Sequence, residues 1–334
     1  MSQNQIPFKP LTCGFPACRG CTMTLMANGV LSGKPDDTDI VIVVASGCFV
    51  VATDIYPRTA WNGVSMVHVN FETADSVASG IYTAHKVLRR KHRLLYGDTK
   101  RKFRVVVFAG DGATFDIGLG PLSGMLERGE PIIHFCYNTN GYSNTGVQSS
   151  GATPSHAVTA TTPGGMLRSE KAGGKDLIEF ALSHPAVAYA AETTLSTKFP
   201  NDIKEKSAAA FAHDTGPVLL HIITPCPRGW GFDSSDAFKI SDLAIETGQC
   251  PLYHAEKVGR DHIMHLDYLP ERYLGGVLHP DVHPITEFLK NQDRFEEMLK
   301  RPDWLADYQE EIDHRWLGRH GLIAKCEPYV AKTE

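Results

Sequence analysis

The sequence predicts an α/β fold: a doubly wound, mostly parallel sheet with a C-terminal helical extension. Three observations carry this. Short apolar, β-branched runs recur at 40–45, 105–108, 132–137 and 217–223, and such runs suit strands buried on both faces. Segments of helical period lie between them, the alternation expected of a parallel sheet. Small polar residues cluster where these runs end, at Gly110-Asp111-Gly112 and Asn138-Thr139-Asn140-Gly141. Crevices outside the carboxyl ends of such strands are where open α/β sheets bind ligands.

The run 40–45 reads as the first strand and ends in Ala45-Ser46-Gly47-Cys48. Residues 54–62 read as irregular, punctuated by Pro57 and Trp61. Residues 67–69 make a short strand, and Val77, Ile81, Ala84 and Val87 share one face of a helix over 74–92. After the strand 105–108, the spacing of Ile117, Leu119, Leu122, Met125 and Leu126 predicts a helix stopping at Gly129. Residues 132–137 form the next strand. Residues 149–165 are rich in Ser, Thr, Gly and Pro and read as a surface or interface loop. A helix over 176–183, a strand over 187–191, a helix over 202–213 and a strand over 217–223 complete the series. Beyond Trp230 the alternation stops, and amphipathic helices are expected over 285–299 and 304–316. This divides the chain into a main unit, 1–230, and an extension, 231–334, packed on the core or on a partner subunit.

A chain of 334 residues can bury one large core or two modest ones. With 42% hydrophobic and 21% charged residues it has an ordinary globular composition. The net charge of −5 gives no electrostatic basis for nucleic-acid binding. No apolar run is long enough to span a bilayer, and the N-terminal residues lack the basic and apolar regions of a secretory signal. A cytoplasmic protein is expected.

The two polar clusters suggest a metal-held diphosphate. Asp111 supplies an anionic oxygen, Thr139 or an adjacent Asn a neutral one, and a backbone carbonyl near Gly141 a third. Mg2+ prefers such oxygens and often shares them with phosphates. Gly110 and Gly112 allow close backbone approach, and a helix N-terminus beyond them favours negative charge. The plainer reading of Asp111 is an N-cap.

Eight cysteines in a chain expected to be cytoplasmic suggest metal or redox chemistry rather than disulfides. Cys18 and Cys21 form a C-x2-C pair, and Cys48 and Cys226 follow strand ends that converge on one edge of a parallel sheet. Four thiolates can hold a [4Fe–4S] cluster. Zinc shares the C-x2-C signature. Cys13, Cys18 and Cys21 also have the plant-type [2Fe–2S] spacing. Cys13, Cys136, Cys250 and Cys326 read as buried or surface thiols.

The GDG, the following thirty or so residues and the Asn-containing cluster resemble the thiamine-diphosphate binding motif. The longer text, GDGATFDIGLGPLSGMLERGE over 110–130 and NTNGYSNTGVQSSGATP over 138–154, resembles the β subunit of pyruvate:ferredoxin oxidoreductase and related 2-oxoacid:ferredoxin oxidoreductases. The likeness runs from about Cys18 to about Tyr253. It implies a sheet of the thiamine-diphosphate-binding type. It implies that Gly110, Asp111, Gly112, Thr139, Gly141, Gly47, Cys48 and Asn144 face the cofactor. Asp111, Thr139 and Gly141 would hold Mg2+, and Cys18, Cys21, Cys48 and Cys226 a [4Fe–4S] cluster. Asn144, in a Y-x-N-T-G string, would lie against the reactive ring and substrate as the catalytic residue. Thr22 departs from the family text, in which Gly usually follows the C-x2-C.

The implied activity is thiamine-dependent oxidative decarboxylation of a 2-oxoacid such as pyruvate, with electrons passing to the cluster and on to ferredoxin, usually with coenzyme A as acyl acceptor. The activating Glu and the pyrimidine-binding half would come from an α-type subunit, and a ferredoxin-like subunit or ferredoxin would take the electrons. Alternatives are an aryl glyoxylate or oxalate as substrate with a NAD-linked partner, a non-redox thiamine-dependent decarboxylase, and a zinc-stabilised binding module without thiamine.

Overall fold

A computed structural model describes residues 10–12, 14, 16–55, 58–93, 101–165 and 174–327. Cys13 lies outside them.

Six strands run parallel: β1 (Thr38–Ala45), β2 (Ser65–Val69), β3 (Lys102–Gly110), β4 (Ile133–Asn138), β5 (Tyr189–Thr194) and β6 (Val218–Ile223). Three more extend one edge: β7 (Tyr253–Val258), β8 (Asp261–Leu266) and β9 (Cys326–Glu327). Among the described residues the order is β9-β8-β7-β5-β6-β4-β3-β1-β2, with β7 antiparallel to both β5 and β8.

Both faces are covered, which is why the central strands are apolar without alternation. Val105, Val107 and Ala109 of β3 point into one core, and Val106 and Phe108 into the other. The second core is closed by α1 (Met23–Leu31), α2 (Cys48–Thr53) and α6 (Asp202–Ala212). The first is closed by α3 (Ala74–Arg90), α4 (Leu119–Arg128), α5 (Leu177–Leu182), α7 (Ala237–Glu246) and α8 (Pro302–Leu317). The doubly wound prediction holds.

Several local expectations hold as well. Helix α4 ends at Gly129 in the left-handed conformation, φ 68°. The helix expected over 176–183 is α5, and the structure adds its cap: the Asp176 side chain accepts the Glu179 N–H at 2.9 Å. Others are corrected. The strand expected at 187–191 starts at Tyr189, because Val187 is held in a turn by His184. Ile117 is exposed, at the exit of a π-helical turn (Gly112–Asp116) and ahead of α4. Residues 285–299 form three short turns rather than one helix: the chain is extended at Gln292, and the Asp293 N–H is drawn to the Gly231 carbonyl at 2.9 Å. A two-residue ladder, Asp54–Ile55 with Arg58–Thr59, occupies part of the segment expected to be irregular. Helices α1 and α7 and the β7–β8 hairpin were not foreseen.

The tail shares the main core. Trp316 of α8 is buried, stacks on Tyr273 at 5.0 Å and donates its indole N–H to the Gly248 carbonyl at 2.9 Å. No described helix is long and apolar enough to cross a membrane.

Lys206 of α6 is buried and pairs with Asp202 at 2.9 Å and Asp267 at 3.1 Å, tying α6 to the β7–β8 edge. Burial opposes ionisation of Asp267, but the His254 hydrogen bond and the Lys206 cation outweigh it and hold the carboxyl at about 2. A depressed carboxyl contributes stability above its unfolded value and loses it as the pH falls through the folded value. The contribution of Asp267, roughly 2 kcal/mol, is therefore expected to disappear between about pH 4 and pH 2. Thermal midpoints of the wild type and Asp267→Asn, measured across that range, should converge as the pH falls. A constant gap would contradict this.

Candidate active site

After β1 the chain leaves towards one face of the sheet through α2, and after β3 towards the other through α4. β1 and β3 are neighbours, so a crevice opens between their carboxyl ends, as at a topological switch point. The cavity there, about 250 Å3, is lined by Ser46, Gly47 and Cys48 after β1, by 110–113 after β3, and by Thr139 and 141–145 after β4; Phe71 and Tyr137 complete it. The structure thus brings Gly47, Cys48, Gly110, Asp111, Gly112, Thr139, Gly141 and Asn144 to one cavity. Asn144 is exposed at its mouth, in a short 3-10 turn, Ser143–Thr145.

Asp111 does not cap the helical turn that follows it. Its buried carboxylate accepts from the Thr139 N–H at 3.3 Å, from the Thr139 hydroxyl at 3.2 Å, and from the Ser150 hydroxyl. Burial pushes the carboxyl up to about 6, with the Ser150 hydroxyl and the backbone N–H groups of Thr139 and Gly141 pulling it back. The Thr139 hydroxyl also lies 3.1 Å from the Gly141 carbonyl oxygen. One hydroxyl proton cannot serve both acceptors fully, so three oxygens crowd around one point with too few protons. Adjacent ligands of octahedral Mg2+ at 2.0–2.1 Å stand about 3 Å apart. The donor set fits a hard divalent cation.

Gly112 is required by its neighbour: a Cβ there would fall 2.3 Å from the Tyr142 ring. The Tyr142 hydroxyl donates to Asp116 at 3.0 Å, which also accepts the Gly151 N–H at 2.9 Å. The π-helical turn is held from below by buried His134, 2.8 Å from Asp75 and 3.2 Å from the Thr114 hydroxyl. In the loop expected at the surface or at an interface, 149–165, Ser150, Thr153 and His156 are buried within this chain and residues 160, 161, 163 and 164 are exposed.

Cys48 lines this cavity, and the Cys18–Cys21 turn meets the Cys226 loop near it. Cys21 turns back on Cys18 through an N–H···O bond of 3.0 Å. Gly20 between them has φ +72°, and a Cβ there would meet the Ser234 carbonyl oxygen at 2.3 Å, so only glycine suits this turn. The Thr22 hydroxyl donates to the Pro225 carbonyl at 3.2 Å, fastening the Cys18–Cys21 turn to the loop of Cys226. The Gly229 N–H donates to the Cys226 sulfur at 3.2 Å. Burial pushes the Cys48 thiol up to about 12, with Cys226, Cys21 and Cys18 adding to it. Burial likewise pushes Cys21 up to about 11; the Met23 N–H opposes this, while Cys226 and Cys18 add to it. Among the described residues no three His, Cys, Asp or Glu side chains converge on a point suited to one metal ion.

Sequence reasoning missed Ser150, Trp230 and Arg294. The Trp230 indole donates to the Thr139 carbonyl at 2.7 Å, and Arg294 donates to the Asn140 side-chain oxygen at 3.2 Å. Asn140 has φ 55° and needs such anchoring. The only signal was the Trp following the Pro-Cys-Pro loop; nothing local marked the other two.

Residues 45–222 match the family described as thiamine pyrophosphate enzyme, C-terminal TPP binding domain. Pyruvate synthase subunit PorB of Thermotoga maritima is 36% identical over 311 residues, 92% of this chain and 90% of that one. Ketoisovalerate oxidoreductase subunit VorB of Pyrococcus abyssi is 35% identical over 290 residues, 86% of this chain and 85% of that one. A solved 2-oxoglutarate:ferredoxin oxidoreductase from Magnetococcus marinus superposes with a TM-score of 0.55 at 22% identity, covering 72% of this chain and 74% of that one, which supports the fold. The chain belongs to the thiamine pyrophosphate enzymes and, within them, to the PorB-type β subunits of 2-oxoacid oxidoreductases.

Proposed function

We propose that this subunit catalyses oxidative decarboxylation of pyruvate or a close 2-oxoacid, with electrons leaving through a [4Fe–4S] cluster to ferredoxin and coenzyme A receiving the acyl group. One observation carries the redox part: Cys48 lines the same cavity as Asp111 and Thr139, so a thiolate ligand would stand on the wall of the cofactor pocket. The PorB and VorB relatives favour pyruvate or a branched 2-oxoacid.

In this reading Asp111, the Thr139 hydroxyl and the Gly141 carbonyl hold Mg2+ against the diphosphate. Thiamine diphosphate, when bound, supplies the electron sink for decarboxylation. Ser150 keeps Asp111 aimed at the cation. Phe71, Tyr137 and Tyr142 give the cavity an apolar wall that limits water. Asn144, at the mouth, would be the catalytic residue, hydrogen-bonding the substrate. Cys18, Cys21, Cys48 and Cys226 would hold the cluster as thiolates. Residues 1–230 carry the cofactor and the cluster, and 231–334 serve as an extension packed on that core. The activating Glu comes from an α-type subunit, a ferredoxin-like chain or ferredoxin takes the electrons, and the assembly works in the cytoplasm.

The assembled complex is expected to reduce ferredoxin with pyruvate and coenzyme A. Release of CO2 without electron transfer would indicate a non-redox decarboxylase instead. Calorimetric titration with thiamine diphosphate and Mg2+ tests the oxygen site. Ser150→Ala removes a support rather than a ligand, and is expected to weaken cation affinity about 10- to 100-fold. Asp111→Asn, which removes a charged ligand, should weaken it further. Wild-type affinity in Asp111→Asn would contradict the assignment.

A further inference from the structure

Arg294 is an anomaly in the core. It is 5% exposed. Its Nε donates to Gln292 at 2.9 Å and one Nη to Asn140 at 3.2 Å, while the other Nη has no hydrogen-bond partner among the described residues. No carboxylate pairs with it among the described residues. Its guanidinium lies over the Trp230 ring at 3.7 Å and near Phe295 at 4.6 Å. Arginine does not shed its proton in proteins, and a buried cation without an anion is strongly unfavourable. Ring faces offset part of that cost. Gln292 and Asn140 are neutral acceptors. The charge calls for a counter-anion nearby.

The surroundings say where. Trp230, under the guanidinium, donates its backbone N–H to the Cys226 carbonyl at 2.8 Å, and its indole N–H to the Thr139 carbonyl at 2.7 Å. The Asp293 N–H holds the Gly231 carbonyl at 2.9 Å. Arg294 therefore sits where the Cys226 turn meets the Thr139–Asn140 loop. Burial lowers its pKa to about 9, and Tyr308 and then Cys226 raise it again.

We propose that Arg294 is the buried counter-charge of the Cys226 corner of the cluster, and that it biases the cluster towards its reduced form while positioning the Thr139–Asn140 loop. This rests on the cluster assignment of the preceding section. Reduction adds one electron, supplied by oxidation of the 2-oxoacid; no bond forms and no proton moves. A fixed positive charge in a low-dielectric site favours the more negative state, and net charge around a cluster is one of the determinants of its potential.

The test is a dithionite redox titration of the assembled complex followed by electron paramagnetic resonance, with iron content measured on each sample. Arg294→Gln keeps a donor for Asn140 and removes the charge. Its midpoint is expected to fall, with the one-electron reduction equilibrium about tenfold less favourable, a shift of about 59 mV. Arg294→Lys keeps the charge and should stay near the wild type. Arg294→Met reads the same fall if the Gln chain does not assemble. Full iron with an unmoved midpoint in Gln or Met overturns the proposal, as does a Lys midpoint that falls as far as Gln. A wild-type complex without iron overturns the cluster reading itself.

Discussion

The Asp111 carboxylate is the constraint on which the site depends. It stands at the end of a central strand, is buried, and is held by the backbone and hydroxyl of Thr139 from the next strand and by the hydroxyl of Ser150 from the loop beyond. Burying a carboxylate is costly unless hydrogen bonds or a cation compensate. Three donors reduce the cost, yet the group remains pushed up to about 6. A cation among the three oxygens would complete the compensation. The same contacts fix the ends of two strands and one loop at the switch point, so the site is positioned by the sheet.

A second set of contacts reaches that loop from behind. Asn138 bonds His221 at 2.8 Å; His221 lies 3.3 Å from Glu192; Glu192 pairs with Arg315 of α8 at 3.0 Å. Arg294 and Trp230 hold the adjacent Asn140 and Thr139. Two of these anchors, Arg294 and Arg315, belong to the C-terminal extension. The tail therefore bears on the geometry of the proposed Mg2+ loop as well as on the core, where Trp316 is buried.

The parts written locally were legible in the sequence. The apolar runs became central strands because both faces are covered, and Gly129 ended its helix because it takes the left-handed conformation. Asp111, Thr139 and Gly141 stood out because each lies in a turn directly after a strand. Ser150, Trp230 and Arg294 did not, because their partners lie 39, 91 and 154 residues away and a single long-range bond leaves no local pattern. The 285–299 segment misled for the same reason: its helical spacing was overridden by the contact between Asp293 and Gly231. The β7–β8 hairpin was obscured by its polar residues, among them His254, which meets Asp267 at 2.9 Å.

The claim that joins these findings is that the thiols beside the cofactor pocket hold an iron–sulfur cluster. Anaerobic iron and sulfide analysis with electron paramagnetic resonance, on the chain purified with its partners, tests it most directly. The account predicts four irons attributable to this chain, lost in Cys226→Ala while the partners keep theirs. Zinc in those thiols, or no metal, would contradict it and leave a thiamine enzyme without an electron outlet in this subunit.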